Sequence, residues 1–383
     1  MLHFSRDEFD ARRDRLVVEM AERKLDALLL FAQESMYWLT GYDTFGFCFF
    51  QCLVVKADGE MRLLTRSADL RQARHTSILE NVVVWRDRGA ADPTIDLRDM
   101  LDEMGLLGAK IGVEWATHGL TAANGRLVEA KLGSFAALKD ASDLVSNLRV
   151  LKSPAEIAYI REAAAMADDA FEAMLPLVTA GANEAQLLEA LQGSIFAAGG
   201  DYPANPFIIG SGPDALLCRY KAGRRTLEPQ DQLTIEWAGV KAQYHAALMR
   251  TIVVGLPTQR HRELFAAASE ALAAVEEAMR PGKTFGDVFD AHAGVMEAHD
   301  LVRHRLSACG YSLGARYAPS WMEQQMFVSG NTAEIQPGMT LFAHMIIMDS
   351  DSGTAMTLGR TYLTTPGAPE PLSRLPIQLT VAA

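Results

Sequence analysis

The chain has no apolar run long enough to span a membrane. Its longest, residues 25–31 and 45–55 (the latter broken by Gln51), fall short of the ~18 residues such a helix needs. It is also poor in cysteine: Cys48, Cys52, Cys218 and Cys309 are too few and too scattered for a disulfide framework, and no C-x-x-C pair is present to hold zinc. The thiols are therefore expected to be reduced. Clustered Lys and Arg are missing too, and 36 basic against 48 acidic residues leave a net charge of −12. Phosphate backbones and anionic membranes select the opposite balance, so neither nucleic acid nor membrane is an expected partner. The opening stretch MLHFSRDEFDARRD turns charged at once, without an apolar core and small-residue cleavage site, which points to a cytoplasmic protein. Low-complexity segments and short repeats are absent.

What is present is ordinary globular material. With 49% hydrophobic and 22% charged content, 383 residues suffice for two domains, each with its own core. Ser5-Arg6-Asp7-Glu8 has the form of a capping box, and Phe9, Leu16, Val17 and Met20 recur at near-helical spacing, predicting a helix over 6–24. Short apolar runs at 27–31, 52–55 and 111–114 read as buried strands, with a helical stretch at 97–106 between them. That alternation predicts an α/β domain over residues 1–147. A sharper start signal is Ser153-Pro154-Ala155-Glu156, with a Ser cap, a Pro at the first helical position and a Glu at the third. It opens a second domain, residues 148–383. Helix starts near 183, 258 and 284 then accompany strand-like runs at 233–235, 248–254, 341–348 and 361–364, without regular alternation. Helices outside a curved antiparallel sheet follow, and the chain as a whole reads as two-domain α+β. The proline-rich tail after Thr365 is expected to wrap the surface without regular structure.

Several stretches carry a resemblance. Residues 13–30 followed by Met36-Tyr37-Trp38-Leu39-Thr40-Gly41-Tyr42, and later Leu148-Arg149-Val150-Leu151-Lys152-Ser153-Pro154-Ala155-Glu156-Ile157, resemble the N-terminal domain and the domain junction of the creatinase, prolidase and aminopeptidase P superfamily, whose catalytic domain is the pita-bread fold. Peptidases of that family bind two divalent cations through two Asp, one His and two Glu, because hard cations that activate water need anionic oxygen ligands. By this resemblance the first Asp falls at Glu236 and the second, eleven residues on, at Ala247. The His falls at Tyr311 in Gly310-Tyr311-Ser312, the first Glu at His344 and the last Glu near Gly359. Alanine and glycine offer no side-chain ligand, so the resemblance implies a scaffold without metal or other cofactor. It is similar to the metal-free branch, whose members creatinase and ectoine hydrolase act on guanidine-like and cyclic amidine compounds. The likeness to ectoine hydrolase is the greater, in the Glu-x-Ala-Gly stretch, the Tyr-His and Arg-Thr pairs, Gly-Tyr-Ser and the His in place of a ligand Glu. Two departures leave the substrate open: by this resemblance Arg219 stands where many members have a substrate-handling His, and Gly359 stands near where ectoine hydrolase retains an acidic residue.

Without a Lewis acid, side chains must attack the electron-poor carbon and protonate the departing nitrogen. Glu236 in an apolar strand is the candidate nucleophile or general base; an ion pair with Arg250 in the core is the plain alternative. His344 and His245, expected on neighbouring strands, are candidate proton shuttles. Tyr311, Arg219 and Arg250 are candidate substrate contacts, Arg219 as a two-pronged clamp for a carboxylate. His261, His292, His299 and His304 read as structural, and Cys309 as packing. The aromatic run at 42–50 reads as core or interface; in the creatinase branch this loop of one subunit closes its partner's site, so Phe45 and Phe47 are expected to line it across a homodimer. The competing readings are a creatinase-type amidinohydrolase, a non-catalytic binding module on the same scaffold and, less favoured, an Xaa-Pro aminopeptidase or a lyase.

Overall fold

The computed structural model describes residues 2–219 and 223–382; Tyr220, which follows Arg219 in the motif above, lies outside them. The chain forms two compact units, Met1–Arg149 and Val150–Ala383.

The first unit runs α1 (Arg6–Glu22), β1 (Ala27–Leu30), α2 (Gln33–Thr40), β2 (Cys52–Lys56), β3 (Met61–Arg66), α3 (Leu70–Thr76), β4 (Val82–Trp85), α4 (Pro93–Glu103), β5 (Lys110–Val113), α5 (Ala122–Leu132), β6 (Ala137–Asp140) and α6 (Leu144–Val150). Its strands form one mixed sheet in the order β4-β3-β2-β1-β5-β6. The uninterrupted apolar run of β1 follows from burial on both faces. Ala27 and Leu29 pack with Leu97, Met100, Val128 and Leu132 of α4 and α5, while Leu28 and Leu30 pack with Leu16, Met20, Met36 and Trp38 of α1 and α2. The Ser5 hydroxyl accepts the Glu8 amide proton and starts α1, as the capping pattern predicts. α2 has no side-chain cap of its own; instead the buried Glu114 carboxylate accepts the amides of Phe31 (3.0 Å) and Ala32 (2.7 Å) and the Ser35 hydroxyl (2.6 Å). The helix ends at Gly41, whose φ of +81° and approach to the Thr76 carbonyl leave no room for a side chain.

The second unit runs α7 (Pro154–Met174), α8 (Glu184–Ala197), β7 (Ile208–Ser211), β8 (Asp231–Lys241), β9 (Tyr244–Val254), α9 (Gln259–Ala278), α10 (Phe285–Ala298), β10 (Ala308–Ser312), β11 (Met326–Val328), β12 (Thr340–Asp349), β13 (Thr354–Leu363), β14 (Glu370–Pro371) and β15 (Thr380–Ala382). Ser153, Asn183, Thr258 and Thr284 each cap a helix here, reciprocated by the side chain at its third position. The strands form one sheet in the order β11-β10-β12-β13-β9-β8-β7, with β14 on β13 and β15 parallel to β9. The tail is therefore not irregular: β15 supplies backbone partners to β9, at Thr380 opposite Ile252 and Ala382 opposite Val254. Prolines at 366, 369, 371 and 376 hid this: Pro371 itself lies in the two-residue β14, and the β15 residues come after the last of them.

Long hairpins build the sheet. β8 and β9 are joined at Ala242 and Gln243, both with positive φ (49° and 66°), as the hairpin turn that matches strand twist requires. Strand alternation then assigns the two faces. Trp237 donates its indole proton to the Ala167 carbonyl of α7 (2.8 Å) and stacks on Phe171 at 5.2 Å. Gly239 lies so close to α7 that a Cβ there would be 1.8 Å from the Ala163 carbonyl oxygen. The odd-numbered residues of β8 therefore face the helices. The even-numbered ones, Glu236 and Ala238, face the other way.

Candidate active site

The site grows from one cross-strand row. Glu236 on β8 sits opposite Met249 on β9, Met249 opposite Gly359 on β13, and Gly359 opposite His344 on β12. Directly paired residues share a face, so all four point away from α7. Ala247, two residues before Met249, pairs with Ala238 on the same face, and Tyr311 on β10 pairs with Phe342, two residues before His344. The five positions at issue, 236, 247, 311, 344 and 359, thus share one face of one sheet, though they are spread over 124 residues from first to last and five strands (236 to 359 inclusive).

Their surroundings are apolar and aromatic. The Tyr311 ring lies 5.4 Å from Phe342 and 5.5 Å from His344, and Phe342 lies 5.5 Å from His344. Phe342 also fills the space over Gly359: a Cβ at 359 would come within 2.7 Å of its ring. The Tyr311 hydroxyl donates to Glu236 Oε1 (3.3 Å) and accepts the Trp321 indole proton (2.8 Å). Burial pushes the Glu236 carboxyl up to about 7, opposed by the Arg219 charge and the Tyr311 hydrogen bond. Burial pushes His344 down to about 3, so its imidazole is neutral, and its Nδ1 has no hydrogen-bond partner among the described residues. Arg219 is exposed at the surface, yet its charge reaches Glu236, Tyr311 and His344.

The other residues singled out in the sequence have different surroundings. Arg250 is opposite Ile235 and Leu358, on the helix-facing side, so it neither pairs with Glu236 nor shares its face. Its guanidinium donates instead to the carbonyls of Met249 (2.8 Å) and Gly359 (2.6 Å). His245 does share the site's face, but β13 stands between its strand and that of His344, so the two are not on neighbouring strands. Main chain occupies both its ring nitrogens: Nε2 accepts the Ala204 amide proton (2.9 Å), and Nδ1 contacts the Gly314 carbonyl (3.4 Å). Burial holds it near 4. In the first unit, Tyr42 and Phe50 at the ends of the aromatic run are buried in the core, while Phe45 is 81% exposed and Phe47 half-buried at the surface. Cys309 is buried, with its thiol pushed far above the usual range. His261 accepts from its own helix cap at Thr258, and His299 and His304 face the carboxylates Glu270 and Asp349.

Trp321 and Phe342 belong to the site without having been singled out in the sequence. A Trp ten residues beyond Gly310-Tyr311-Ser312, and a Phe two before His344, were the available signals. As metal donors, the five positions supply one carboxylate, one imidazole and one phenol. Among the described residues, the one set of three His, Asp, Glu or Cys with converging donor atoms is His304, Asp349 and Asp351, away from this row, and Arg260 and Arg303 already pair with its carboxylates. The donor set around Glu236 does not fit a pair of divalent cations.

A creatinase-like α/β unit followed by a helix-backed antiparallel sheet is the architecture of prolidases and of aminopeptidase P. The chain belongs to metallopeptidase family M24, which it matches over residues 158–366, and residues 12–151 match the creatinase/prolidase N-terminal domain. That membership makes it a hydrolase of the M24 type. Ectoine hydrolase of Halomonas elongata is 28% identical over 399 residues, covering 99% of this chain and 98% of that protein. An Xaa-Pro dipeptidase of Pyrococcus furiosus is 25% identical over 205 residues, covering 52% of this chain and 59% of that one. Among solved structures, a prolidase from Thermococcus sibiricus aligns with a TM-score of 0.87 at 18% identity, and a dipeptidase from Pyrococcus horikoshii with 0.84 at 20%; each alignment covers 97% of this chain and 99% of the other. At such identities the two structures speak for the fold alone.

Proposed function

We propose that this chain is a metal-independent, cytoplasmic hydrolase that opens a C–N bond in a small amidine-like substrate, with ectoine the first candidate and a creatine-like compound the alternative. The observation that carries the reading is the row Glu236–Met249–Gly359–His344, a peptidase site's position rebuilt around a single buried carboxyl. A carboxyl with a pKa of about 7 is present in both forms at neutral pH. As carboxylate it takes a proton from the attacking water, whose oxygen bonds to the amidine carbon; as acid it returns that proton to the nitrogen as the C–N bond breaks.

The other side chains then have narrower parts. Tyr311 holds Glu236, and neutral His344 offers ring nitrogens to the substrate as hydrogen-bond partner. Arg219 clamps a substrate carboxylate. His245, engaged by main chain on both nitrogens, supports the 204–207 segment and does not shuttle protons. Likeness to ectoine hydrolase along the whole chain supports this substrate class. The exposed Phe45 and Phe49 support a homodimer in which this loop covers the partner's site.

The test is a substrate panel followed by product mass: ectoine, creatine and an Xaa-Pro dipeptide, each with the native protein and with Glu236→Gln. Turnover of an amidine that disappears in Glu236→Gln supports the reading. Manganese-dependent cleavage of the dipeptide would replace it with the peptidase reading that the dipeptidase relative favours, and binding without turnover would leave a recognition module.

A further inference from the structure

We propose that Trp321, which lies outside every helix and strand, is a positioning residue that sets where the Tyr311 hydroxyl points and so how Glu236 is held. This rests on the reading of Glu236 above. An indole N–H can only donate, so its bond to the Tyr311 oxygen (2.8 Å) uses one lone pair of that oxygen and leaves the hydroxyl proton for another acceptor. Glu236 Oε1, at 3.3 Å, is that acceptor. Donation into the phenol oxygen polarises its O–H and strengthens the bond it makes onward.

The structure holds Trp321 as a part with this duty would be held. It is 1% exposed, and its amide donates to Asn205 Oδ1 (3.1 Å). Its ring lies against Phe207 at 6.4 Å and His245 at 6.1 Å, and His245 in turn fixes the neighbouring Ala204 amide. Two residues further on, Glu323 makes a buried ion pair with Lys152 at 2.9 Å. The loop is thus tied down beside the indole by an amide, two rings and a buried charge pair. Among the described residues, the polar groups that act on Glu236 are Arg219 and Tyr311, with His344 beside the Tyr311 ring.

The experiment reads the Trp321 indole resonance in protein carrying 15N-labelled tryptophan, assigned among five tryptophans by Trp321→Phe or Trp321→Tyr. Tyr311→Phe is expected to move the resonance upfield. Glu236→Gln is expected to move it too, and to have no effect in a Tyr311→Phe background. With ectoine as substrate, Trp321→Phe is expected to lower kcat roughly tenfold with KM little changed, the loss of one assisted hydrogen bond. Tyr311→Phe should show no further loss when combined with it, and Trp321→His, which keeps a ring N–H, should recover part of the rate. An indole resonance that ignores Glu236→Gln, or additive losses in the double variant, would overturn the proposal. Should Glu236→Gln retain turnover, the catalytic reading fails, while the resonance still decides whether Trp321 acts through Tyr311.

Discussion

Glu236 is a carboxyl whose burial works against the fold and, in the proposed mechanism, for the chemistry. Its pKa rises from 4.5 to about 7 on folding, so between these values the folded chain binds more protons than the unfolded one. Stability contributed by the neutral form is complete below pH 4.5 and is lost as pH climbs to about 7. Glu236→Gln is uncharged throughout, so at pH 8 it is expected to be more stable than the native chain by on the order of 1–3 kcal/mol, with the difference vanishing toward pH 4.5. Calorimetry across that range checks it, and a difference independent of pH would contradict it. For the proposed catalysis the sign reverses. A base must be ionised, so kcat/KM is expected to rise with pH through one ionisation near 7 and to fall by ~10²–10⁴ in Glu236→Gln. Gly359 makes a further residue-scale point. Gly359→Glu brings its side chain into the Phe342 ring, so restoring this one carboxylate is expected to destabilise the chain by about 1–3 kcal/mol without creating metal binding, as denaturant unfolding and metal analysis would show.

At the scale of elements, the site sits on a seam. The β8–β9 hairpin and the β12–β13 hairpin meet through a β9–β13 register of two pairs, Leu358 with Arg250 and Gly359 with Met249. Side chains reinforce that short contact: Arg250 donates to the Gly359 carbonyl, Thr361 to the Ala247 carbonyl (2.8 Å), and the Thr251 hydroxyl accepts the Thr357 amide proton (2.8 Å). Arg250→Ala leaves two buried carbonyls without this donor and is expected to cost about 2–4 kcal/mol. Amide exchange should accelerate first in β13 around Gly359. Exchange that accelerates uniformly over the sheet would show that Arg250 does not hold the seam. Helix starts in this unit were legible because a cap is a local device: Ser153 to Glu156 and Thr284 to Asp287 span four residues each. The face of each β8 or β9 residue was not legible. Both faces of these strands are buried along almost their whole length, so hydrophobic alternation could not put Arg250 on the helix side and Glu236 on the other. β10 escaped for another reason: it has five residues, and Gly310, with no side chain, interrupts their apolar pattern where the pairing to β11 shifts register. Trp321 escaped because no periodic signal exists in an irregular loop.

For the whole molecule, the sequence carried the two-part α+β architecture, since each part has its own start signals and apolar runs. No helix among the described residues is long and apolar enough to cross a membrane. The loop bearing Phe45, Cys48 and Phe49 exposes apolar surface that a proposed partner subunit would cover. Phe45→Ser is expected to weaken self-association in sedimentation at least tenfold, as loss of an aromatic anchor does; an unchanged mass would contradict the proposed dimer. The central claim, that one buried carboxyl does what a pair of cations does elsewhere in the family, meets its most direct test in protein stripped with a chelator and assayed in its presence. Turnover of ectoine or another amidine at the untreated rate, with substoichiometric metal by mass spectrometry, is the predicted result. Activity lost on stripping and restored by two equivalents of manganese would contradict it.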